Sequence, residues 1–219
     1  MSKQFWAVIA GIVIVLVGIF VLTGNKSDNK SSNGSTAAAT NHVQGTGSTG
    51  VTLAEYGDYQ CPYCQAYYST VKQVVEEYKD QIHFQFVNFP LPNLHQNAFA
   101  AARAAEAADK QGKFWEMHDL LYENSDPSGA SGWVASNAPS TYFNQYATQL
   151  GLNLEQFKKD SASSDVNAAI NADMTKGNKL GVEGTPTFFV NGKKTTIENT
   201  PDAFKKVLDE AIKSKSANQ

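Results

Sequence analysis

Two cysteines are all that 219 residues contain. A small secreted fold stapled by several disulfides is therefore excluded, because one pair cannot supply the bridges it needs. Positive charge is not in excess either: 18 basic residues face 21 acidic ones, for a net charge of -3. That balance encodes no polycationic surface, so no nucleic-acid partner is expected. There is no second Cys-x-x-Cys, and the four histidines are scattered singly. Zinc would need two ligands beyond the cysteine pair. No internal repeat is visible. Apolar residues, in contrast, make up 42% of the chain. With the N-terminal segment set aside, roughly 170 residues remain, enough for one self-supporting core.

That N-terminal segment holds an uninterrupted apolar run, FWAVIAGIVIVLVGIFVL, at residues 5–22. As a helix it spans about 27 Å, close to the hydrocarbon thickness of about 30 Å. Residues 1–4, with Lys3, form a short cytoplasmic N-terminus, and Trp6 stands where an interfacial aromatic would. The alternative is a cleaved signal peptide. The run is longer than a usual h-region, however, and Thr23-Gly24-Asn25-Lys26 is a poor cleavage site. No cysteine follows at which a lipid could be attached. An uncleaved, single-pass membrane anchor is the expectation. Residues 23–50 are Ser, Gly, Asn, Thr and Ala with little to bury, and read as a flexible tether about 30 Å from end to end. His42 reads as a solvated residue of that tether.

The rest, residues 51–219, reads as one α/β domain. A strand over 51–56 leads to a helix opening at Cys61, with Pro62 at its first position, where a missing N–H costs nothing. Residues 81–89 alternate as a second strand until Pro90 and Pro92. From about 93 to 177 the pattern is helical, with a loop at 125–139. Residues 187–190 form a strand, Asn191-Gly192 signals a hairpin turn, and 195–197 return as its partner. A last helix starts at Thr200-Pro201-Asp202.

Cys61-Pro62-Tyr63-Cys64 is the segment with chemistry in it. The thiolate, not the thiol, attacks a disulfide, and free cysteine with a pKa of about 8.5 is little ionised at neutral pH. Unpaired N–H groups at a helix N-terminus favour the anion. Cys61 is expected to be exposed and acidic, with Cys64 one turn deeper and sheltered. The i, i+3 spacing puts both sulfurs on one helix face, so a disulfide between them can close. Two zinc ligands or a structural staple are the alternatives, though a staple over three residues adds little stability.

Four segments in order resemble the DsbA-like branch of the thioredoxin superfamily: EYGDYQCPYC at 55–64; NFPLP at 88–92 with His95 and Asn97; QGKFWEMH at 111–118; and GVEGTPTFFVNG at 181–192. The resemblance covers about 51–212. It implies a thioredoxin fold with an inserted helical domain. It implies that Cys61 is the nucleophile and Cys64 the resolving thiol of a redox-active disulfide, with no other cofactor and no metal. Pro186, expected to be cis, would face the cysteines and leave the Thr185 backbone free to pair with substrate, with Pro62 and Tyr63 as further contacts. Glu55 matches a buried acid near the second thiol, or is an exposed strand residue. Between the cysteines, Pro-Tyr departs from the histidine-containing dipeptide of the best-known oxidant of the branch. The same dipeptide occurs in glutaredoxins, whose smaller fold lacks so long an insertion. Tyr56, Tyr59 and Tyr63 line a groove or pack. His83, His95 and His118 read as packing or strand residues, and Lys193 and Lys194 as a solvated hairpin edge.

The resemblance further implies reduced, unfolded exported proteins as substrates, a separate membrane reoxidant of the DsbB or VKOR type, and an extracytoplasmic position. A reductase or isomerase of the same fold, and a non-catalytic zinc or binding module, are the rival readings.

Overall fold

The computed structural model describes residues 38–217. The expected anchor at 5–22, the residues before it and most of the tether lie outside the described residues. Among the described residues no helix is long and apolar enough to cross a membrane.

Strand β2 (Val51–Gly57) is the centre of a five-stranded sheet. It pairs in parallel with β3 (Ile82–Asn88), with Glu55 opposite Phe86, and antiparallel with β4 (Thr187–Val190), with Glu55 opposite Phe188. Helix α1 (Pro62–Tyr78) connects β2 to β3, as a parallel pair requires. Alternation along β2 sends Val51, Leu53 and Glu55 to one face and Ala54 and Tyr56 to the other. The first face meets the large core, built from Val71, Val74, Phe84, Phe86 and Cys64 with the inserted helices and α8 (Pro201–Ser216). The second meets a smaller cluster of Tyr56, Val87, Phe89, Val182 and Phe189. Glu55 thus occupies a core-facing position, and only 4% of it is exposed. It is not an exposed strand residue.

The insertion comprises α2 (Ala98–Asp109), α3 (Phe114–Glu123), α4 (Gly132–Ala135), α5 (Ser140–Gln149), α6 (Leu154–Ser161) and α7 (Ser164–Lys179). Alanine on the buried face of α2 allows close approach to its neighbours, as expected for a run of small helix formers. Asn153 caps α6, its side chain accepting from the Gln156 amide at 3.0 Å. Within the expected loop at 125–139, α4 forms one helical turn around Trp133, which is fully buried and donates to the Leu121 carbonyl at 3.1 Å. A single large aromatic orders the turn, a signal that the surrounding Ser and Gly obscure.

Two boundaries differ from the sequence reading. Strand β5 is Lys193–Thr195, not 195–197. Asn191 (φ 50°) and Gly192 (φ 77°) make a two-residue turn with both central residues left-handed, so Val190 pairs at once with Lys193. Lys194 is also not simply solvated: its Nζ donates to the Gly181 carbonyl at 2.7 Å.

The tether also ends earlier than residue 50. β1 (His42–Gln44) pairs antiparallel with β3, and only 6% of His42 is exposed. Its ring stacks on Phe114 with centroids 3.4 Å apart, and its Nε2 lies 2.6 Å from Glu106 Oε1. Just ahead, the Thr40 amide and hydroxyl donate to Asp173 at 2.8 and 2.6 Å. The arm is held by buried carboxylates of the insertion. Apolar patterning cannot reveal such an anchor, because the apolar residue of the strand, Val43, is exposed and the buried anchor is His42.

Candidate active site

Cys61 is the N-cap of α1, and Pro62 follows in the first turn. Its amide donates to the Asp58 carbonyl at 3.1 Å, which closes the turn between β2 and α1. The two cysteines are thiols, 4% and 0% exposed respectively. The expectation of an exposed Cys61 is therefore corrected: the loop ending in Pro186 covers it. The Thr185–Pro186 bond is cis, and Cys61 Sγ donates to the Thr185 carbonyl at 3.3 Å. In this dithiol state the Thr185 carbonyl is consequently not free. Tyr63 is 71% exposed beside the site, whereas Tyr56 and Tyr59 are buried and pack. A cavity of about 140 Å³ lies next to Pro186, lined by Tyr67, Thr187, Phe188 and Thr195 among others.

The two thiols differ in acidity. The Cys61 pKa is lowered to about 6. The largest cause is a hydrogen bond from the Cys64 thiol; burial opposes it, and the Thr185 side chain and the amides of Cys64 and Tyr63 lower it further. The helix amides contribute, yet the neighbouring thiol contributes most. The Thr185 hydroxyl is buried and has no other partner, so it is available to an ionised sulfur once the carbonyl bond is given up. Cys64 is pushed well above the ordinary thiol range, first by burial, then by its bond and charge interactions with Cys61.

Glu55 sits on the inner side of the pair. Burial, followed by the charge of Cys61, raises its pKa to about 8. The phenols of Tyr59 and Tyr122 are buried nearby with no hydrogen-bond partner, and burial raises both well above their ordinary value. His118 is buried among these rings, as its packing reading has it, and burial lowers its pKa.

The structure thus brings Glu55, Cys61, Cys64, Thr185 and Pro186 together and leaves Pro62 and Tyr63 on the exposed rim. Sequence reasoning missed two polar elements of the same turn. Asp58 has a fully buried side chain that accepts from the amides of Gln60 (2.8 Å) and Leu91 (2.9 Å) and from His95 Nδ1 (2.8 Å). Gln60 takes the Asn97 amide at 2.6 Å and donates to the Val134 carbonyl at 3.1 Å. An aspartate just past a strand, two residues before an amide it can accept from, was the available signal for the first. Among the described residues no three His, Cys, Asp or Glu side chains group as a metal site would need.

Comparison with known proteins places this geometry. The Na(+)/H(+) antiporter NhaA 3 of Salinispora tropica is 36% identical over 153 residues, which are 70% of this chain and 22% of that protein. The chain spans 22–24% of the length of the antiporter relatives it matches. A probable disulfide bond formation protein D of Bacillus cereus is 28% identical over 206 residues, 92% of each chain. The crystal structure of a thioredoxin-like oxidoreductase from Silicibacter pomeroyi superposes with a TM-score of 0.65 at 30% identity, covering 79% of this chain and 92% of that one. Wolbachia pipientis alpha-DsbA1, 19% identical, shares the fold with a TM-score of 0.70 over 81% and 94% of the two chains. The family model described as thioredoxin matches residues 37–210, which include β1. The chain belongs to the thioredoxin family, and its fold, with a block of helices between β3 and β4, is the one it shares with alpha-DsbA1.

Proposed function

We propose that this protein is a membrane-tethered, extracytoplasmic thiol:disulfide oxidoreductase that donates a Cys61–Cys64 disulfide to exported polypeptides. The observation that carries this reading is the opposed acidity of two thiols on one helix turn, with the outer one against the Thr185 carbonyl that precedes the cis proline. A substrate thiolate attacks Cys61 Sγ, and the Cys61–Cys64 bond breaks with its electrons on Cys64. Cys64, costly to leave charged, takes a proton from Glu55, which is largely protonated below about pH 8. A second substrate thiolate then attacks the substrate sulfur of the mixed disulfide and releases Cys61 as a thiolate. The substrate loses two electrons and the protein ends as the dithiol. A separate membrane oxidant of the DsbB or VKOR type would restore the disulfide, since no further cysteine is present.

Thr185, Pro186, Pro62 and Tyr63 border Cys61 and would receive the substrate chain. The apolar run at 5–22 supports the tether, and the name of the Bacillus cereus relative supports the disulfide-forming role. An acidic Cys61 stabilises the dithiol and so makes the disulfide more oxidising. The reduction potential is therefore expected well above thioredoxin's value of about -270 mV, and a value at or below it favours the reductase or isomerase reading.

The test is oxidation of a reduced, unfolded polypeptide by the purified protein. Cys61→Ser is expected to abolish it, and Cys64→Ser to leave no turnover. Full activity in the Cys64 variant would end the dithiol mechanism.

A further inference from the structure

We infer that His95, paired with the buried Asp58, is a pH-dependent charge that tunes the Cys61 thiolate from the outer side of the site. The inference rests on the reading of Cys61 as the reacting thiol and adds its regulation. Asp58 is the common node. Its carbonyl holds the Cys61 amide at 3.1 Å, and its carboxylate holds His95 Nδ1 at 2.8 Å. The carboxylate is fully buried, and its other recorded partners are two neutral amides, those of Gln60 and Leu91. A buried carboxylate calls for a compensating cation, and among the described residues only His95 pairs with it. The His95 side chain is 19% exposed, so its proton can exchange with solvent. Asp58 and Cys61 are the titratable groups that face it, and both favour its protonated form.

Two charge states follow. With His95 protonated, the His95–Asp58 pair is neutral. Once His95 loses its proton, the pair carries one negative charge at the turn that holds the Cys61 amide, and an anionic Cys61 becomes less favourable. The coupling is reciprocal: if the Cys61 anion holds a proton on His95, His95 must hold Cys61 ionised by the same factor. His95 touches no reacting atom in this scheme. It is a positioning residue that acts through charge.

The experiment titrates Cys61 by thiolate absorbance and by the pH profile of its alkylation rate, in full-length protein and without any substrate polypeptide. His95→Gln keeps a donor for Asp58 but removes the charge, which leaves the carboxylate uncompensated. The Cys61 pKa is expected to rise by about half a unit to one unit. Asp58→Asn removes the anion and is expected to move it the opposite way. A merely structural role would disturb the turn in both variants and move both titrations in one direction. Shifts of the same sign, or no shift in His95→Gln, overturn the inference. If wild-type Cys61 itself titrates as an ordinary thiol, the functional reading fails instead, so the two failures are distinguishable.

Discussion

The two sides of the active-site turn solve burial differently. On the outer side, the Asp58 carboxylate takes three donors, Gln60 is bonded at both ends of its amide, and Asn97 donates to the carbonyls of Trp133 (2.9 Å), Val134 (3.2 Å) and Ser136 (2.9 Å). On the inner side, Glu55 has burial and the charge of Cys61 against it, and the hydroxyls of Tyr59 and Tyr122 have no partner. The Asp58 and Glu55 carboxylates are both hidden from water, yet only the first has its donors. The thiols inherit the difference. Cys61 is surrounded by donors and is acidic; Cys64 lies on the bare side and resists ionisation. A buried charge is stabilised by what reaches it, not by depth alone.

Glu55→Gln breaks the comparison most sharply. In the unfolded chain this carboxyl titrates near 4.5, and in the folded protein near 8. Between those values the folded state keeps a proton that the unfolded state has lost. Stability therefore falls as pH rises through this window. Glutamine matches the neutral acid in size and cannot ionise. The variant is expected to exceed the wild type by about 3 kcal/mol at pH 7, with the gap closing toward pH 4.5. Denaturant unfolding at pH 4.5, 6 and 8 measures it. A gap independent of pH would mean that Glu55 is not the strained acid described. The same variant should slow mixed-disulfide formation about tenfold or more, because Cys64 then leaves without a proton donor.

The outer side predicts a loss where the inner side predicts a gain. Asn97→Ala removes a donor shared by three carbonyls, of which Val134 keeps the Gln60 side chain and Trp133 keeps the Ser136 amide. Two of the three carbonyls therefore stay bonded, so the expected cost is about 2 kcal/mol rather than the sum of three bonds. Urea unfolding at a fixed pH tests this, and the pH dependence should match the wild type. A cost that grows with pH would tie the clamp to Glu55 and blur the distinction between the sides.

How much of this was legible beforehand follows the same division. The cysteine pair and the order of strands and helices were readable because local patterns encode them: period two, period 3.6, Pro at a helix start and Asn-Gly at a turn. The cis bond before Pro186 has no such local signature and was expected only from the family resemblance. Placing Glu55 on the core face required only counting forward by twos along β2 from Val51 and Leu53. The polar anchors were not legible. His42 sits in a stretch of small polar residues, and its partners Phe114 and Glu106 lie more than sixty residues away. His95 meets Asp58 across 37 positions. Hydrogen bonds between distant residues leave no periodic trace, so a buried histidine and a solvated one look alike in a sequence. The burial of Cys61 was missed for a related reason: its cover arrives from Thr185, 124 residues later.

The smallest expected effect is also informative. Tyr122 is 1% exposed, and its hydroxyl has no protein partner among the described residues. A cavity of about 30 Å³ lined by Glu55, Phe84, His118 and Tyr122 adjoins it, room for a single water. Tyr122→Phe removes the hydroxyl and keeps the ring that packs on Tyr59 and Tyr68. An unsatisfied buried group costs free energy, so its loss should be neutral or stabilising, within about 1 kcal/mol of the wild type. The Cys61 titration should not move, because the groups that lower it are Cys64, Thr185 and the amides of Cys64 and Tyr63, and Tyr122 is not one of them. Unfolding at pH 5, where Glu55 is protonated, isolates the effect. A destabilisation of about 2 kcal/mol or more would reveal a hydrogen bond on the inner side, and the contrast that sets the two thiols apart would then have to come from depth after all.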